Sequence, residues 1–347
     1  MRYCVTLSYD GSAFCGWQLQ DNAPSVQGCL EDALGTLLGE SVRVTGTGRT
    51  DTLVNAVGYV AHFDTDRAFD AADLCYKLNA ILPHSVVVHA VAPVSADFHA
   101  RFAASQRKYT YFLHRLKDPF VENYSLFYPY DLDVDAMNRA AALLAGRHDF
   151  ACFQKTGSVV KSTVCCVSEA FWAPYRPAHV EIMGNPASDD SDWQYLFFRI
   201  SADRFLRNMV RAIVGTLLEV GRGRRSIDDF ASLILPAPDD GISSSDGVGH
   251  EVQEADCFTL RGMLPSPHCP DASPDPGTSR PDFLQPQASR PSPSQQSWVP
   301  PSTSEGAYAS ENQTTGPRPN GSLRSRAGQS VPGHALFFSG VTYPDPL

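Results

Sequence analysis

Gly46-Thr47-Gly48-Arg49-Thr50-Asp51-Thr52-Leu53-Val54-Asn55-Ala56-Val57-Gly58-Tyr59-Val60-Ala61-His62-Phe63 is the stretch on which the reading of this chain turns. A strand-like run at 43–45 leads in and another at 57–63 leads out. The glycines let backbone approach a ligand closely. Arg49 sets a cation two residues before the carboxylate of Asp51. A nucleophile or base beside a cation suits an anionic polymer attacked at a ring or glycosidic carbon. An aspartate that merely holds a turn is the plainer use of such a loop, and the loop alone leaves both readings open.

Outward from the loop the chain reads as mixed strand and helix. Residues 2–9 alternate, with Tyr3, Val5, Leu7 and Tyr9 on one side, as a half-buried strand does. Ser25 is placed to cap a helix carrying Val26, Leu30, Leu34, Leu37 and Leu38 at helical spacing. A strand near 42–47 follows, then the Asp51 loop and a strand at 57–64. Asp70 caps a second helix that Pro83 ends, and 86–94 is another apolar strand. The first α+β domain is expected over 1–103.

The second half repeats this grammar. Residues 108–115 alternate as a strand, and Asp133 caps a helix through Leu144 with Gly146 at its C-terminal end. Strands are expected near 161–172, 178–183 and 193–201. A long amphipathic helix is expected at 203–220, with Leu206, Met209, Ile213, Leu217 and Val220 inward. Ser226 and Asp229 form a capping box for a short helix reaching Leu235.

Beyond that the composition shifts: 18 of the 26 prolines lie past residue 233. Residues 238–328 read as a Pro/Ser-rich insertion, too poor in large apolar residues to offset its ordering entropy. Apolar alternation returns at 334–344 as a closing strand. The second domain is therefore expected over 104–237 and 329–347.

The whole chain carries a net charge of −10. Residues 1–233 hold 26 acidic against 22 basic residues, a balance of −4. Seven arginines fall within 199–225, opposed only by Asp203 and Glu219. Phosphate binding depends on that local field rather than on whole-chain charge, although a solvated helix face explains most charge runs. The nine cysteines are odd in number and form no Cys-x-x-Cys. They read as reduced, mostly buried thiols of a cytoplasmic protein. No run approaches the roughly 18 apolar residues of a membrane span, and the opening strand leaves no room for a leader. No histidine or cysteine grouping has metal-ligand spacing, and no phosphate-binding glycine pattern follows a strand.

Gly-Arg-Thr-Asp at 48–51 resembles the signature of the tRNA pseudouridine synthase A family. Further blocks are similar and come in the family's order. They are Tyr9-Asp10-Gly11, Gly16-Trp17-Gln18-Leu19-Gln20, Leu78-Asn79-Ala80-Ile81-Leu82-Pro83 and Phe98-His99-Ala100-Arg101-Phe102, then Arg107-Lys108-Tyr109-Thr110-Tyr111, Gly146-Arg147-His148-Asp149-Phe150 and Phe205-Leu206-Arg207-Asn208-Met209-Val210-Arg211. The resemblance spans 1–235 and takes in the closing strand. It implies the pseudouridine synthase fold, an α+β architecture of two similar halves sharing a mostly antiparallel central sheet. It also implies an isomerase that converts uridines 38 to 40 of the tRNA anticodon stem-loop without metal or cofactor, and a homodimer.

By the same resemblance Asp51 is the catalytic carboxylate, attacking C1′ or C6 of uridine or abstracting a proton. Arg211 is its ion-pair partner, Tyr109 the platform on which the target base stacks, and Arg49 the arginine that enters the space left by the flipped nucleotide. Arg204, Arg207 and Arg211 stand at i, i+3 and i+7, so a helix through all three would put them on one face toward phosphate. Tyr111 fits a core position better than a platform. Thr52-Leu53-Val54-Asn55-Ala56 departs from the family's Ala-Gly-Val-His-Ala: Leu53 stands for a glycine and Asn55 for a histidine, so a reshaped loop is expected. A non-catalytic RNA-binding relative is the second reading. A hydrolase using Asp51 as a simple base is the third, weakened by the missing second carboxylate motif.

Overall fold

The alternation of residues 2–9 forms β1 (Arg2–Tyr9), with Tyr3, Val5, Leu7 and Tyr9 buried. Ser25 caps α1 (Val26–Leu38), its hydroxyl accepting from the Gly28 amide at 3.2 Å. Then come β2 (Val44–Gly46), β3 (Asn55–Asp64), α2 (Ala71–Ile81) and β4 (Val86–Val94). Asp70 caps α2 through the Asp73 amide at 2.8 Å. The later chain gives β5 (Gln106–His114), β6 (Leu126–Phe127), α3 (Val134–Ala142), β7 (Gly146–Asp149), β8 (Val164–Pro174), α4 (Ala178–Met183) and β9 (Tyr195–Ala202). It continues through α5 (Met209–Gly221), α6 (Ile227–Ala231), β10 (Leu235–Pro236) and β11 (Leu336–Thr342). Asp133 caps α3 and Ser226 caps α6, each through the backbone amide three residues on. Caps of this kind stabilise a helix by about 1 kcal/mol each.

This computed structural model describes residues 1–158, 160–184, 193–238 and 323–344. They belong to one unit taking in 1–240 and 317–347. Most of the insertion expected at 238–328 lies outside the described residues.

All eleven strands join one sheet in the order β10-β7-β8-β9-β5-β11-β3-β1-β4, with β2 on β3 and β6 on β5. Among the described residues the pairings are antiparallel except β11 with β3 and β5 with β6. The closing strand β11 sits in the middle. It pairs Leu336 with Tyr111 of β5 and Phe337 with Asn55 of β3, and so joins the early strands to the later ones. One core cluster gathers β1, β3, β4, α1 and α2; another gathers β5, β8, β9, α3 and α5. Tyr111 is fully buried in the second, as expected.

Five local expectations differ. Residues 178–183 form the helix α4, not a strand. Pro177, with φ −59°, sets the chain at its entrance, Ala, Glu and Met favour helix, and Val180 alone of the six is buried. The helix expected from 203 begins at Met209, because Asn208 takes the left-handed conformation (φ 66°) just before it. Nor is α5 amphipathic: 11 of its residues are buried and only Arg211 and Glu219 are not. Residues 323–328, expected within the insertion, pack on α5, where the Gly328 amide donates to Thr216 Oγ1 at 3.0 Å and Ala327 is buried. Among the seven described cysteines, all free, Cys4, Cys152 and Cys165 are buried and Cys166 is exposed, so "mostly buried" overstates their burial.

Candidate active site

The loop between β2 and β3 is held from behind by hydroxyls. Thr50 Oγ1 lies 2.9 Å from the Tyr9 hydroxyl, and the Tyr59 hydroxyl donates to the Gly48 carbonyl while accepting the Gly48 amide at 3.3 Å. Burial pushes both phenols far up, so they stay neutral donors. Backbone bonds add Thr47 N to Val60 O at 2.9 Å and Leu53 N to Phe14 O at 3.4 Å. Gly11 and Gly333 close the rear: a Cβ there would lie 2.2 Å from the Val54 carbonyl oxygen and 2.5 Å from that of Thr52. Val54 then plugs into the core cluster of the later strands.

Leu53 has φ 66°, one of two left-handed non-glycine residues described. The loop therefore keeps a conformation natural to glycine, and the bulky side chain bears roughly 1–2 kcal/mol of strain for it. The reshaped backbone expected at Leu53 does not occur at this torsion. Asn55 is buried and fully used: its Oδ1 accepts the Gly11 amide at 2.8 Å and its Nδ2 donates to the His334 carbonyl at 2.7 Å.

Asp51 faces the start of α5. Arg211 Nη1 stands 3.5 Å from Asp51 Oδ2 and Arg207 Nε 3.8 Å from Oδ1. The Asp51 and Arg211 side chains are 25% and 23% exposed, so the pair lies between the surface limit of about 0–1 kcal/mol and the larger penalties of full burial. Arg211 is itself aimed: its Nε donates to the Val331 carbonyl at 2.7 Å, and the Val331 amide returns to the Arg211 carbonyl at 3.2 Å. Asn208 Nδ2 donates to Ser330 Oγ at 2.6 Å, and Arg324 donates to the same hydroxyl at 2.7 Å and to the Gly328 carbonyl at 2.9 Å. A Cβ at Gly215 would lie 1.8 Å from the Gln329 carbonyl oxygen, so this segment lies directly against the helix.

Tyr109, on β5, meets Phe205 and Phe338 edge to face, with centroids 5.1 and 5.4 Å apart. Burial raises its phenol, and the negative charge of Asp51 raises it further.

The other expected residues separate. Arg207 reaches Asp51 from the turn before α5, with 61% of its side chain exposed. Arg204 lies in irregular chain between β9 and that turn, not on a helix face shared with Arg211; its charge acts on the buried Cys165 thiol, which burial nonetheless pushes up to about 12. The described ion pairs of Asp51 are with Arg207 and Arg211, not with Arg49. Arg49 Nε donates to Gln18 Oε1 at 3.2 Å, and Arg49 lines a cleft with Trp17, Gly46, Gly48 and Arg101. Among the described residues no cluster of three or more His, Cys, Asp or Glu is placed to hold a metal.

The sequence reading missed Asn208, Ser330, Val331 and Arg324. The lone signal was Asn208, a residue type tolerant of positive φ beside a motif.

Residues 140–243 match the family model described as tRNA pseudouridine synthase. The protein named tRNA pseudouridine synthase A from Porphyromonas gingivalis is 45% identical over 235 residues, covering 67% of this chain and 87% of that one. Its namesake from Bacteroides thetaiotaomicron is 43% identical over 233 residues, with 67% and 81% covered. The one from Halalkalibacterium halodurans is 39% identical over 237 residues, with 67% and 83% covered.

Proposed function

This chain belongs to the tRNA pseudouridine synthase A family and isomerises uridine to pseudouridine in tRNA; we propose that Asp51 is the reacting carboxylate and that the targets are uridines 38 to 40 of the anticodon stem-loop. One observation carries the assignment: the Asp51 carboxylate is met by Arg211 and Arg207. Two guanidiniums favour the ionised carboxylate, the form needed for attack at C1′ or C6 or for taking a proton. In the isomerisation the N1–C1′ bond breaks, a C5–C1′ bond forms, C5 loses its proton and N1 ends protonated. No atom is gained or lost and nothing is oxidised or reduced, so the reaction consumes no co-substrate.

Tyr109 stacks the target base. Removing a base from its stack costs a few kcal/mol, and stacking on an aromatic ring returns about 1–3 kcal/mol. Arg49 fills the space the base leaves, while Arg207 and Arg204 meet phosphates. Family membership supports a homodimer acting in the cytoplasm. Among the described residues no helix is long and apolar enough to cross a membrane.

The test is incubation with unmodified tRNA followed by mapping of pseudouridine. The parent should modify positions 38 to 40. Asp51→Asn should abolish product while tRNA affinity stays within a few-fold, since phosphate contacts supply most affinity. Turnover by a sequence-verified Asp51→Asn protein would remove Asp51 from the mechanism. An inactive parent that still binds tRNA would favour the RNA-binding reading.

A further inference from the structure

Two blocks of sequence, Gly16-Trp17-Gln18 and Phe98-His99-Ala100-Arg101-Phe102, play no part in the chemistry at Asp51. The fold brings them together. Trp17, Gln18, Gln27, Gly46, Arg49 and Arg101 line one cleft, and Asp51 is not among its walls. Neither Arg49 nor Arg101 has a carboxylate partner among the described residues, although the chain as a whole is acidic. Next to Arg101 stands Phe102, 77% exposed, with the Arg101 guanidinium carbon 5.7 Å from its ring centroid and the His99 ring 4.3 Å away.

The turn presenting Phe102 is rigidly held. His99 Nδ1 accepts the Arg101 amide at 3.2 Å and the Phe102 amide at 3.4 Å, and the Ala103 amide returns to the His99 carbonyl at 2.9 Å. Arg107 donates to the Arg101 carbonyl and, at 3.4 Å, to that of Thr47. One guanidinium thus ties this turn to the loop that carries Asp51. A single exposed phenylalanine means little by itself. Here its turn is fixed, it stands beside Arg101, which has no carboxylate partner among the described residues, and it is fastened to the reacting loop. Arg49 stands two residues from Asp51, at most about 7 Å along the chain.

We propose that this cleft is a second nucleotide subsite: Arg101 holds the phosphodiester next to the target uridine, and the neighbouring base stacks on the adjacent Phe102. Every base has a π-face, so the subsite tolerates different sequences and favours an unstacked strand over a duplex. The proposal rests on the pseudouridine synthase reading, and its test uses different variants.

The probe is unmodified tRNA, measured by equilibrium binding across a salt series and by initial rates with the full-length chain. Phe102→Ala should weaken binding by about 5- to 150-fold, the loss of one stacked base. It should raise KM alike, leave kcat within two-fold, and be rescued by Phe102→Trp. Arg101→Ala should lower the slope of log K against log salt by roughly 0.7–0.9, and Arg101→Lys should keep that slope. Both side chains are exposed, so thermal melting should match the parent. Unchanged affinity in Phe102→Ala together with an unchanged slope in Arg101→Ala would overturn the proposal. So would a fall in kcat with affinity intact. If Phe102→Ala instead loses self-association while binding tRNA normally, the ring belongs to a contact between copies and the subsite is disproved. Loss of the Asp51 assignment would show separately, as product formed by Asp51→Asn.

Discussion

The two arms that meet at Asp51 are built in opposite ways. The carboxylate arm, residues 46–54, is fixed by the early strands: Tyr9 and Tyr59 hold Thr50 and Gly48, and the polar contacts are buried or partly buried. The guanidinium arm, at the entrance of α5, has no side-chain cap of its own, and Asn208 there is left-handed. It is held by residues 324–331, which return about 120 positions later to bond Arg211 and Asn208. The carboxylate is thus placed mostly by nearby sequence, and its partner by chain that arrives last. The ion pair at 3.5 Å depends on both.

The largest effect should come from removing the late arm. Ending the chain after residue 322 deletes β11, which bonds both β5 and β3, and also deletes the Val331 carbonyl that aims Arg211. The truncated protein should show no cooperative thermal transition. A sharp transition with normal turnover would mean that the return segment is dispensable and the contrast between the arms is false.

A second test uses acid against the early half. His62 on β3 is buried, and its Nδ1 accepts the Ala100 amide. Burial first, then Arg2 and His99, lower its ring to about 4 from an ordinary 6.5. Between those values the unfolded chain binds more protons than the folded one. Stability should therefore be complete above about pH 6.5 and fall as pH drops toward 4, by at most roughly 3 kcal/mol. His62→Gln keeps an acceptor and should flatten that fall in urea titrations. An equally steep fall in the variant would mean that another histidine lowered by burial, His99, His114 or His334, carries the acid sensitivity.

Gly215→Ala probes the late arm more gently. The added methyl meets the Gln329 carbonyl oxygen at 1.8 Å, so segment or helix must shift. Overpacking of this kind costs about 1–3 kcal/mol. The melting temperature should drop and turnover should fall with it, because Arg211 moves with the helix. A stable variant with lowered turnover would show that the segment's role is aim rather than stability.

The smallest effect should come from Leu53→Gly in the early arm. It relieves left-handed strain of about 1–2 kcal/mol and gives back roughly 0.5–1 kcal/mol in backbone entropy. A net gain of up to about 1.5 kcal/mol is expected in chemical denaturation, with activity unchanged. A loss would mean that the Leu53 side chain, 38% exposed, packs more than it strains.

The local devices of the fold were legible from residue order. Ser25, Asp70, Asp133 and Ser226 cap helices where their spacing says they should, since a cap is a contact across three residues. The strand pattern of 178–183 misled, because alternation over six residues does not separate a strand from a short surface helix behind a proline. The helix through 203–220 misled for a related reason: periodicity ran on across Asn208, which is left-handed and bonded to Ser330.

The order of motifs by itself determined the family, the mixed strand-and-helix class and Asp51 as the residue to examine, because each is encoded in short runs whose chemistry acts locally. Tertiary structure alone decided that Arg207 joins Arg211 at the carboxylate while Arg204 does not, and that Arg49 turns toward Gln18. It alone placed β11 between β5 and β3. Those outcomes rest on backbone torsions and on ion pairs and hydrogen bonds between residues 31 to more than a hundred positions apart, and sequence spacing carries no information on which distant partner a guanidinium will meet.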